Sequence, residues 1–486
     1  MTDRRDVRLA VVGGGITGLA ASRVLQAAVE IGGVEDVTLI EAAPRLGGKI
    51  VTERAGGFLI EGGPDSFLTL KPQAVEFARE LGLGDRLVQT VDPRHVFILH
   101  RGRLHPLPDG LASLIPHRLG PFLRSGLFTL REKARFGLDL LVPPSPNGGD
   151  EALGHFVRRR LGHAAVERLA GPLLAGIHAG DVEELSLRAT FPTLAEAERR
   201  YGSLTRAVLA RRRSPGRAGG GATGGGPARD GATTMFMTLR GGLGELVERA
   251  ADLPRVTVRT GTTLRTIERQ GGRYVLRLAG GENLEVDAVV LTVPAHAAAI
   301  LLRDVNPPAS RMAASVPYVS TAAAALGFRR ADVGHALAGH GYVIAGGEGM
   351  AHTACTWVSS KWPGRAPAGH VLLRCFAGRA GDQEALALDD GALVHALLEE
   401  LTPLLGITGS PVLTRVYRWR DAMPQYTVGH LDRMAALRAA LRATPGIIVA
   451  GGGYGGVGLP DCIRQGRDAA EEALGIVAAT RSSTRS

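Results

Sequence analysis

The first residues whose spacing could support chemistry form a glycine-rich turn near the N-terminus. Gly13, Gly15 and Gly18 fit the pattern GxGxxG between an apolar run at residues 7–12 and small or aliphatic residues at 16–29. In such a turn the glycines allow a sharp bend, close approach of a pyrophosphate to helix N–H groups, and tight packing of helix on strand. Glu41 follows Gly18 by 23 residues, after a second apolar run, where a carboxylate accepts ribose hydroxyls. These residues predict a βαβ unit that binds a dinucleotide, with a purely structural turn as the alternative.

Two further glycine pairs follow Glu41 and bear on which dinucleotide binds. Gly47 and Gly48 precede Lys49, and another pair opens the segment Gly-Gly-Pro-Asp-Ser at residues 62–66. A plain NAD domain does not require these turns, whereas close approach of the backbone to a bulky tricyclic ring explains them. Either turn alone could be an ordinary surface turn. Together they favour FAD over a nicotinamide cofactor.

A second glycine run, residues 451–458, also satisfies GxGxxG after an apolar strand. Only 28 residues follow Gly458, too few for a helix, a second strand and a ribose-binding acid. We interpret this run as a turn that delivers a helix at 460–477, whose positive end would face the flavin N1–C2=O edge. No motif of a triad hydrolase, zinc protease or P-loop enzyme competes. Since no separate NAD(P) domain is evident, oxygen is the expected electron acceptor and the chain is expected to be an oxidase.

The rest of the chain must supply the elements that position these turns. Residues 104–142 interleave aliphatic and Phe positions with Arg and Pro, which predicts amphipathic helices, and 153–174 continues the helical character. The stretch 211–231 is rich in Gly and Arg without periodicity, which indicates a mobile surface loop. Short strands are predicted at 256–259, 274–278, 284–293, 321–328, 371–376 and 447–450, and a helix at 391–405.

This pattern predicts an α/β + α fold with three parts. The predicted FAD-binding domain is discontinuous, with residues 1–90, 232–306 and 417–478. Residues 91–210 are predicted to form a helical lobe, 211–231 the loop, and 307–416 a mixed α/β substrate domain.

Composition limits the possible partners. Aromatic residues make up 5% of the 486 residues, too few for the stacking platforms of single-stranded nucleic acid binders, so no nucleic acid is expected. The net charge of +10 is carried mainly by arginine and fits either a solvated basic surface or attraction of an anionic ligand or lipid surface. The three cysteines have neither disulfide-framework nor zinc-ligand spacing, so no metal site is predicted.

Targeting signals are equally sparse. The N-terminus lacks the apolar core of a signal peptide, and the longest nearly apolar run, residues 288–302, is shorter than the ~20 residues that span a bilayer. We therefore expect a cytoplasmic protein without a transmembrane helix and with at most peripheral membrane contact.

Several segments together resemble the protoporphyrinogen oxidase family, within the amine-oxidase-like superfamily. Residues 11–18, 41–50 and 61–68 resemble its FAD-binding segments, 174–181 its internal signature, and 455–466 its C-terminal signature. The resemblance runs from the first strand to the last helix, except for 211–231. It implies a Rossmann-type FAD-binding domain of the amine-oxidase-like kind.

The resemblance also implies which residues contact FAD. Gly452 is a departure, because relatives often carry an acidic or amide residue there to hold the ribityl chain, so backbone or water must replace that contact. The implied cofactor-binding residues are Gly13, Gly14, Gly15, Ile16, Thr17, Gly18, Glu41, Ala42, Arg45, Gly48, Lys49, Gly63, Pro64, Asp65, Ser66, Val258, Trp419, Gly451, Gly452, Val457, Gly458 and Leu459.

The family has two branches, which oxidise protoporphyrinogen IX and coproporphyrinogen III. Residues 63–67 with Lys71, residues 121–127, and residues 354–357 followed by 361–363 resemble the second branch. Val96 stands where many protoporphyrinogen oxidases carry an arginine for a substrate propionate. The implied reaction is three two-electron oxidations, each moving a hydride from a bridging methylene to flavin N5, with O2 reduced to H2O2. A ferrochelatase is the expected recipient of the product.

Lys71 is the candidate catalytic residue. It lies four residues beyond the segment 63–67, so we expect it near the flavin ring, where its ammonium could pair with a substrate propionate or with negative charge on reduced flavin. A surface lysine without a role is the alternative.

Two other functions remain open. A related amine oxidase or carotenoid desaturase is one, although amine oxidases usually carry an aromatic cage and aromatics are 5% of this chain. A flavin-fold escort protein without catalysis is the other, and the intact turn at 13–18 with Glu41 disfavours it.

Overall fold

A computed structural model of the chain describes residues 7–108, 111, 114, 119–145, 149–213 and 234–483, with the side chains of 211–213 and 481–483 not described. The predicted loop at 211–231 therefore lies outside the described residues from position 214 onward. Residues 211–213 close a helix instead of opening a loop.

A five-stranded parallel sheet carries the N-terminal βαβ unit. Its central strands are fully buried runs of Val, Leu and Ala, as expected when both faces of a parallel sheet are covered. Val12 is in register with both Ile40 and Leu291, so the carboxyl ends of three strands meet at one edge. Ligands of open α/β sheets bind outside that edge. In spatial order the strands are β10 (Thr257–Arg259), β2 (Asp36–Ile40), β1 (Arg8–Val12), β14 (Ala288–Leu291) and β20 (Ile447–Val449).

Helices cover both faces of this sheet. One face packs on α1 (Ile16–Glu30), α2 (Gln73–Glu80), α11 (Gly244–Ala250) and α17 (Leu459–Ser483). The other packs on α12 (Ala295–Leu302), α13 (Pro307–Ala314), α16 (His430–Leu441) and an antiparallel sheet of β11 (Leu264–Gln270), β12 (Arg273–Leu278) and β13 (Asn283–Val286). This part, which we call the nucleotide-binding half after the prediction above, is thus assembled from the two ends and the middle of the chain.

A seven-stranded mixed sheet and the helices that cover it form a second part of the molecule, which we call the substrate half after the domain predicted there. Helix α15 (Asp390–Leu405) covers one of its faces, and the hairpin β3 (Thr52–Ala55) and β4 (Phe58–Glu61) packs on the other together with α14 (Val358–Lys361). The hairpin comes from the nucleotide-binding half, so this contact ties the two halves together. In spatial order the strands are β19 (Leu413–Pro424), β15 (Tyr318–Arg329), β18 (His370–Ala377), β17 (Ala354–Trp357), β16 (Gly341–Ile344), β7 (Val96–His100) and β8 (Arg103–Pro106).

A helical lobe packs beside the seven-stranded sheet around its own apolar core. Arg160 is fully buried there and is neutralised by Asp139 and Glu198. Within the described residues, no helix combines the length and the apolar character needed to cross a bilayer. The lobe consists of α3 (Leu119–Arg124), α4 (Leu130–Gly137), α5 (Leu153–Leu161), α6 (His163–Ala165), a π-helical turn (Val166–Ala170), α7 (Gly171–His178), α8 (Leu187–Thr190), α9 (Pro192–Tyr201) and α10 (Leu204–Arg213). A small sheet of β5 (Phe67–Leu68), β9 (Phe236–Leu239) and β6 (Leu87–Gln89) completes the fold.

Three sequence predictions about these elements are corrected. The strand predicted at 284–293 is two strands in different sheets, because Asp287 between them accepts hydrogen bonds from the Arg8 N–H at 2.8 Å and from the Arg273 guanidinium at 3.0 Å. The predicted helical lobe, 91–210, begins with β7 and β8, which hydrogen-bond into the seven-stranded sheet. The predicted boundary between 416 and 417 falls inside β19, which pairs with β15 on both sides of that boundary, from Leu413 to Trp419.

Candidate functional site

The phosphate turn, residues 13–18, has the geometry of an anion site. Gly13 has a φ of +107°, in the region that favours glycine, and a side chain at Gly18 would overlap the Gly13 carbonyl oxygen. Gly15 is different, because a Cβ built there has no atom within 4 Å. No side chain caps α1, whose first hydrogen bond runs from the Leu19 N–H to the Gly15 carbonyl at 2.9 Å. Open space in front of Gly15 and an N-terminus of α1 without a side-chain cap are what a pyrophosphate requires.

Glu41 is held at the end of β2 beside this turn. Its Oε2 accepts a hydrogen bond from the Gly14 N–H at 2.6 Å, and its Oε1 accepts one from the Ala43 N–H at 2.7 Å. Each oxygen retains a lone pair for a ribose hydroxyl. Val258 lies on the neighbouring strand β10, in register with Leu39, with 39% of its surface exposed. The carboxylate and this strand end therefore fit the nucleoside part of a dinucleotide.

The second glycine pair packs directly on the first turn. The Gly47 N–H donates to the Gly14 carbonyl at 2.8 Å, and a Cβ on Gly48 would lie 3.1 Å from the Gly15 Cα. Arg45 closes this turn, since its guanidinium donates to the Gly48 carbonyl at 2.7 Å. Its role in this structure is to shape the backbone around Gly48.

Lys49 follows this pair and reaches across to the substrate half. Its Nζ donates to the Ala422 carbonyl at the end of β19. Burial lowers the pKa of Lys49, while the nearby Cys462 acts in the opposite direction. An ammonium at this junction links the two halves of the molecule.

Residues 62–66 form what we call the buttressed turn, because side chains of the substrate half hold it. Trp419 donates its indole N–H to the Gly62 carbonyl at 2.8 Å, and Arg374 donates to the Gly63 carbonyl. The Asp65 carboxylate pairs with Lys361 at 2.9 Å and accepts the Trp362 indole N–H at 3.1 Å. Because the Gly62 carbonyl points at the sheet, the Gly63 N–H across the same trans peptide bond points the other way, and Pro64 carries no N–H. That leaves the Gly63 N–H directed away from the sheet.

The charges around Asp65 set its protonation state. Burial alone would raise the pKa of Asp65, but the cations of Lys361 and Arg374 outweigh burial and hold it well below its usual range. Neighbouring Glu61 lies deeper, and burial raises its pKa to about 7 despite hydrogen bonds from Thr52 and the Leu243 N–H. Asp65 is therefore an anion held by the sheet, with one oxygen also accepting the Ser66 hydroxyl at 2.7 Å.

The C-terminal glycine run lies against the phosphate turn. A Cβ on Gly466 would overlap the Thr17 carbonyl oxygen, so α17 packs on α1 without a spacer. The Tyr426 hydroxyl donates to the Gly452 carbonyl at 2.6 Å and accepts the Gly456 N–H at 2.8 Å, which fixes the run in place. A Cβ on Gly452 would lie 3.8 Å from the Val457 Cα and 3.9 Å from the Cys462 Sγ, which is ordinary van der Waals contact. A backbone contact to a ligand is possible there, as the glycine departure requires.

The other predicted residues of this run lie at the start of α17. Gly451 has a φ of +126°, and its N–H donates to the Gln465 side chain at 3.3 Å. Val457 and Gly458 precede the helix, and Leu459 is its first residue and packs in the core of the nucleotide-binding half. The structure thus brings the predicted residues of four separate segments into one continuous region.

Lys71 lies at the N-terminus of α17. Its Nζ contacts both oxygens of Asp461, at 2.6 and 2.8 Å, and its side chain is 49% exposed. The ammonium is thus engaged by a carboxylate of this chain. Its predicted catalytic role stays a prediction.

Sequence reasoning did not single out several residues of this region. Arg374 was hidden in a predicted buried strand, and a lone arginine inside such a strand is the signal that could have found it. Tyr426 and Gln425 carry no local pattern, since their partners lie in the glycine run and at His178. His178 is buried with its Nδ1 unpartnered among the described residues, and burial lowers its pKa to about 4.

Comparisons with known proteins agree with this geometry. The family model described as flavin containing amine oxidoreductase matches residues 16–474. Coproporphyrinogen III oxidase of Bacillus subtilis (strain 168) is 40% identical over 467 residues, which cover 96% of this chain and 97% of the relative. Protoporphyrinogen oxidase 1, chloroplastic, of Arabidopsis thaliana is 30% identical over 488 residues, which cover 95% of this chain and 87% of the relative. A crystal structure named "Putative protoporphyrinogen oxidase", from Exiguobacterium sp. 255-15, matches with a TM-score of 0.83 and 36% identity, covering 96% of this chain and 98% of that one.

These matches confirm the predicted resemblance, the amine-oxidase-like fold, FAD as the cofactor and an oxidase as the class of enzyme. The phosphate turn with Glu41 is the structural feature that fits the cofactor. The chain belongs to the flavin-containing amine oxidoreductase family.

Proposed function

We propose that this chain oxidises coproporphyrinogen III to coproporphyrin III in haem biosynthesis, in three two-electron steps with O2 reduced to H2O2. The observation that carries the proposal is 40% identity to the Bacillus subtilis coproporphyrinogen III oxidase over 96% of this chain and 97% of the relative. Three relatives of that name match at 34–40% identity over at least 96% of this chain.

Bound FAD supplies the hydride acceptor and the reactivity with oxygen. The chain's own residues hold and orient it. With FAD bound, the start of α1 would hold the pyrophosphate, Glu41 would hold the ribose, and the buttressed turn would lie against the ring. Tyr426 fixes the C-terminal glycine run on the other side. In this arrangement the protein contributes position and electrostatic field, which is why no triad of side chains is needed.

Protoporphyrinogen IX is the second candidate substrate, because the Arabidopsis thaliana relative of that name also matches over 95% of this chain. The two substrates differ where coproporphyrinogen carries two additional propionates in place of vinyl groups. A net charge of +10 favours the more anionic substrate. Lys71, if released from Asp461, is the proposed propionate partner.

The test is a comparison of both porphyrinogens, prepared anaerobically and mixed with the flavin-loaded enzyme in air-saturated buffer. We expect kcat/KM to be higher for coproporphyrinogen III and three H2O2 to form per porphyrin. Equal kcat/KM on both substrates would remove the proposed preference. A protein that purifies with no flavin and turns over neither substrate would remove the proposed function.

Peripheral membrane contact of a cytoplasmic protein is a second part of the proposal. Leu123, Leu130, Leu138 and Leu141 are 57%, 81%, 48% and 79% exposed on one stretch of the helical lobe. Arg124 ends the first helix of this stretch, so apolar and basic groups occur together, as in interfacial helices. We expect co-sedimentation with anionic liposomes at low salt, and loss of it in a Leu130→Glu, Leu141→Glu double variant. A ferrochelatase that receives the product is the alternative occupant, and it would bind without liposomes.

A further inference from the structure

Five charged residues lie in or around the buttressed turn, of which three are buried and two, Lys361 and Asp65, are partly buried. Three are cations of the substrate half, Lys361, Arg365 and Arg374, and two are the acids Glu61 and Asp65. The exposed surface is 2% for Arg365, 5% for Arg374 and 4% for Glu61. Burying a guanidinium is costly unless a carboxylate or several acceptors compensate it. The cluster is therefore stable only if ion pairs or hydrogen bonds compensate its buried charges.

The charges of this cluster do not cancel. Lys361 is neutralised by Asp65 at 2.9 Å. Burial raises the pKa of Glu61 to about 7, so this acid is only partly ionised at neutral pH. Among the described residues, no carboxylate forms an ion pair with Arg365 or Arg374. At least one positive charge is left over beside the turn.

The two arginines differ in the direction of their hydrogen bonds. Arg365 donates to the carbonyls of Arg240 and Leu239, at 3.1 and 2.9 Å, on β9 and the residue after it. Arg374 donates to the Gly63 carbonyl of the buttressed turn, and the Nε of each arginine has no partner among the described residues. Of the two unpaired cations, Arg374 is the one in contact with this turn.

We infer that Arg374 is a positioning residue that fixes the Gly63 peptide and supplies positive charge favouring the reduced form of the bound flavin. This inference rests on the proposed placement of the flavin ring at the buttressed turn. Reduction adds negative charge to the ring, so a cation buried nearby stabilises the product of reduction more than the oxidised form. Arg374 thereby raises the reduction potential of the flavin.

The test is the midpoint potential of the flavin in the holoenzyme, for wild type, Arg374→Gln and Arg365→Gln. We expect Arg374→Gln to lower the equilibrium constant for reduction at least tenfold, about 30 mV for a two-electron couple. Arg365→Gln removes an equally buried guanidinium that does not contact the turn, so we expect a shift of less than threefold. Equal shifts in the two variants, or no shift in Arg374→Gln, overturn the inference.

Two further variants keep the test decisive if Arg374→Gln does not fold. Asp65→Asn leaves the Lys361 charge uncompensated, so we expect a shift of at least tenfold toward the reduced form, opposite in sign. Arg374→Lys keeps the charge and should stay within threefold of wild type. A lowered potential in Asp65→Asn, or a tenfold loss in Arg374→Lys, contradicts the role of charge. A wild-type protein that binds no FAD would refute the proposed function instead, so the two failures are distinguishable.

Discussion

The phosphate turn and the buttressed turn lie in one molecule but are built by different means. The phosphate turn consists of backbone, with glycines at 13, 15 and 18 and open space in front of Gly15. The buttressed turn is held by side chains from β18, α14 and β19, up to 357 positions away in sequence. Backbone geometry is encoded by local spacing, whereas side-chain support depends on the tertiary fold. Mutations should therefore act differently at the two turns.

The largest expected effect separates two glycines of the phosphate turn. Gly18→Ala would overlap the Gly13 carbonyl and bring a Cβ to 2.8 Å from Thr292 Oγ1, so we expect the apoprotein itself to lose several kcal/mol of stability. Gly15→Ala has free space and an ordinary φ of −71°, so the apoprotein should keep its stability within about 1 kcal/mol but lose FAD. Denaturant unfolding of both apoproteins and flavin titration make the comparison. Undiminished FAD binding by Gly15→Ala would mean that Gly15 does not face the cofactor.

The next effect is a pH dependence at the buttressed turn. The pKa of Glu61 is raised from 4.5 to about 7 in the folded protein, so the folded state binds more protons than the unfolded state between these values. Its contribution to stability is present at low pH and is lost as the pH rises toward 7, by on the order of 1–3 kcal/mol. Glu61→Gln should flatten this part of the curve of unfolding free energy against pH. A curve identical to wild type would mean that Glu61 is ionised throughout.

An effect of similar size is expected where the phosphate turn meets the ribose. Glu41→Ala removes a carboxylate that holds the Gly14 and Ala43 N–H groups and faces the ribose hydroxyls. We expect FAD affinity to fall by about 1.5–3 kcal/mol, since hydrogen bonds to a charged acceptor are lost. Fluorescence titration of the apoprotein with FAD measures this, with Glu35→Ala as a control outside the site. Unchanged flavin occupancy after dialysis would contradict the assignment.

The smallest expected effect concerns Lys71, which belongs to neither turn. Its pair with Asp461 is partly exposed, so Lys71→Ala should cost less than about 1 kcal/mol of stability. If its ammonium also meets a propionate, kcat/KM falls at least ~10-fold, or about 1.4 kcal/mol, while FAD stays bound. Lys71→Arg keeps the charge and is the control. An undiminished Lys71→Ala enzyme leaves the residue as a structural partner of Asp461.

The two turns also differ in how well the sequence predicts them. The strands and helices around the phosphate turn were predictable because spacing alone defines them, and α1 begins at the predicted residue 16. The division of residues 284–293 was not predictable, since it depends on Asp287 meeting Arg8 from the other end of the chain. The support of Asp65 by Lys361 and Trp362 could not be predicted for the same reason. A turn built from closely spaced glycines can be predicted from neighbouring residues, whereas contacts between residues far apart in the sequence cannot.

The contact of α17 with α1 has a consequence for biosynthesis. Gly466 on α17 lies against Thr17 on α1. The strand β20, which is late in the chain, forms one edge of the sheet that contains β1. During synthesis β1 and α1 are made long before α17 and β20. These partners are therefore absent until almost the whole chain has been made. Stable loading of FAD is therefore a post-translational event. Until then, the newly made N-terminal strand exposes apolar edges that a chaperone could shield.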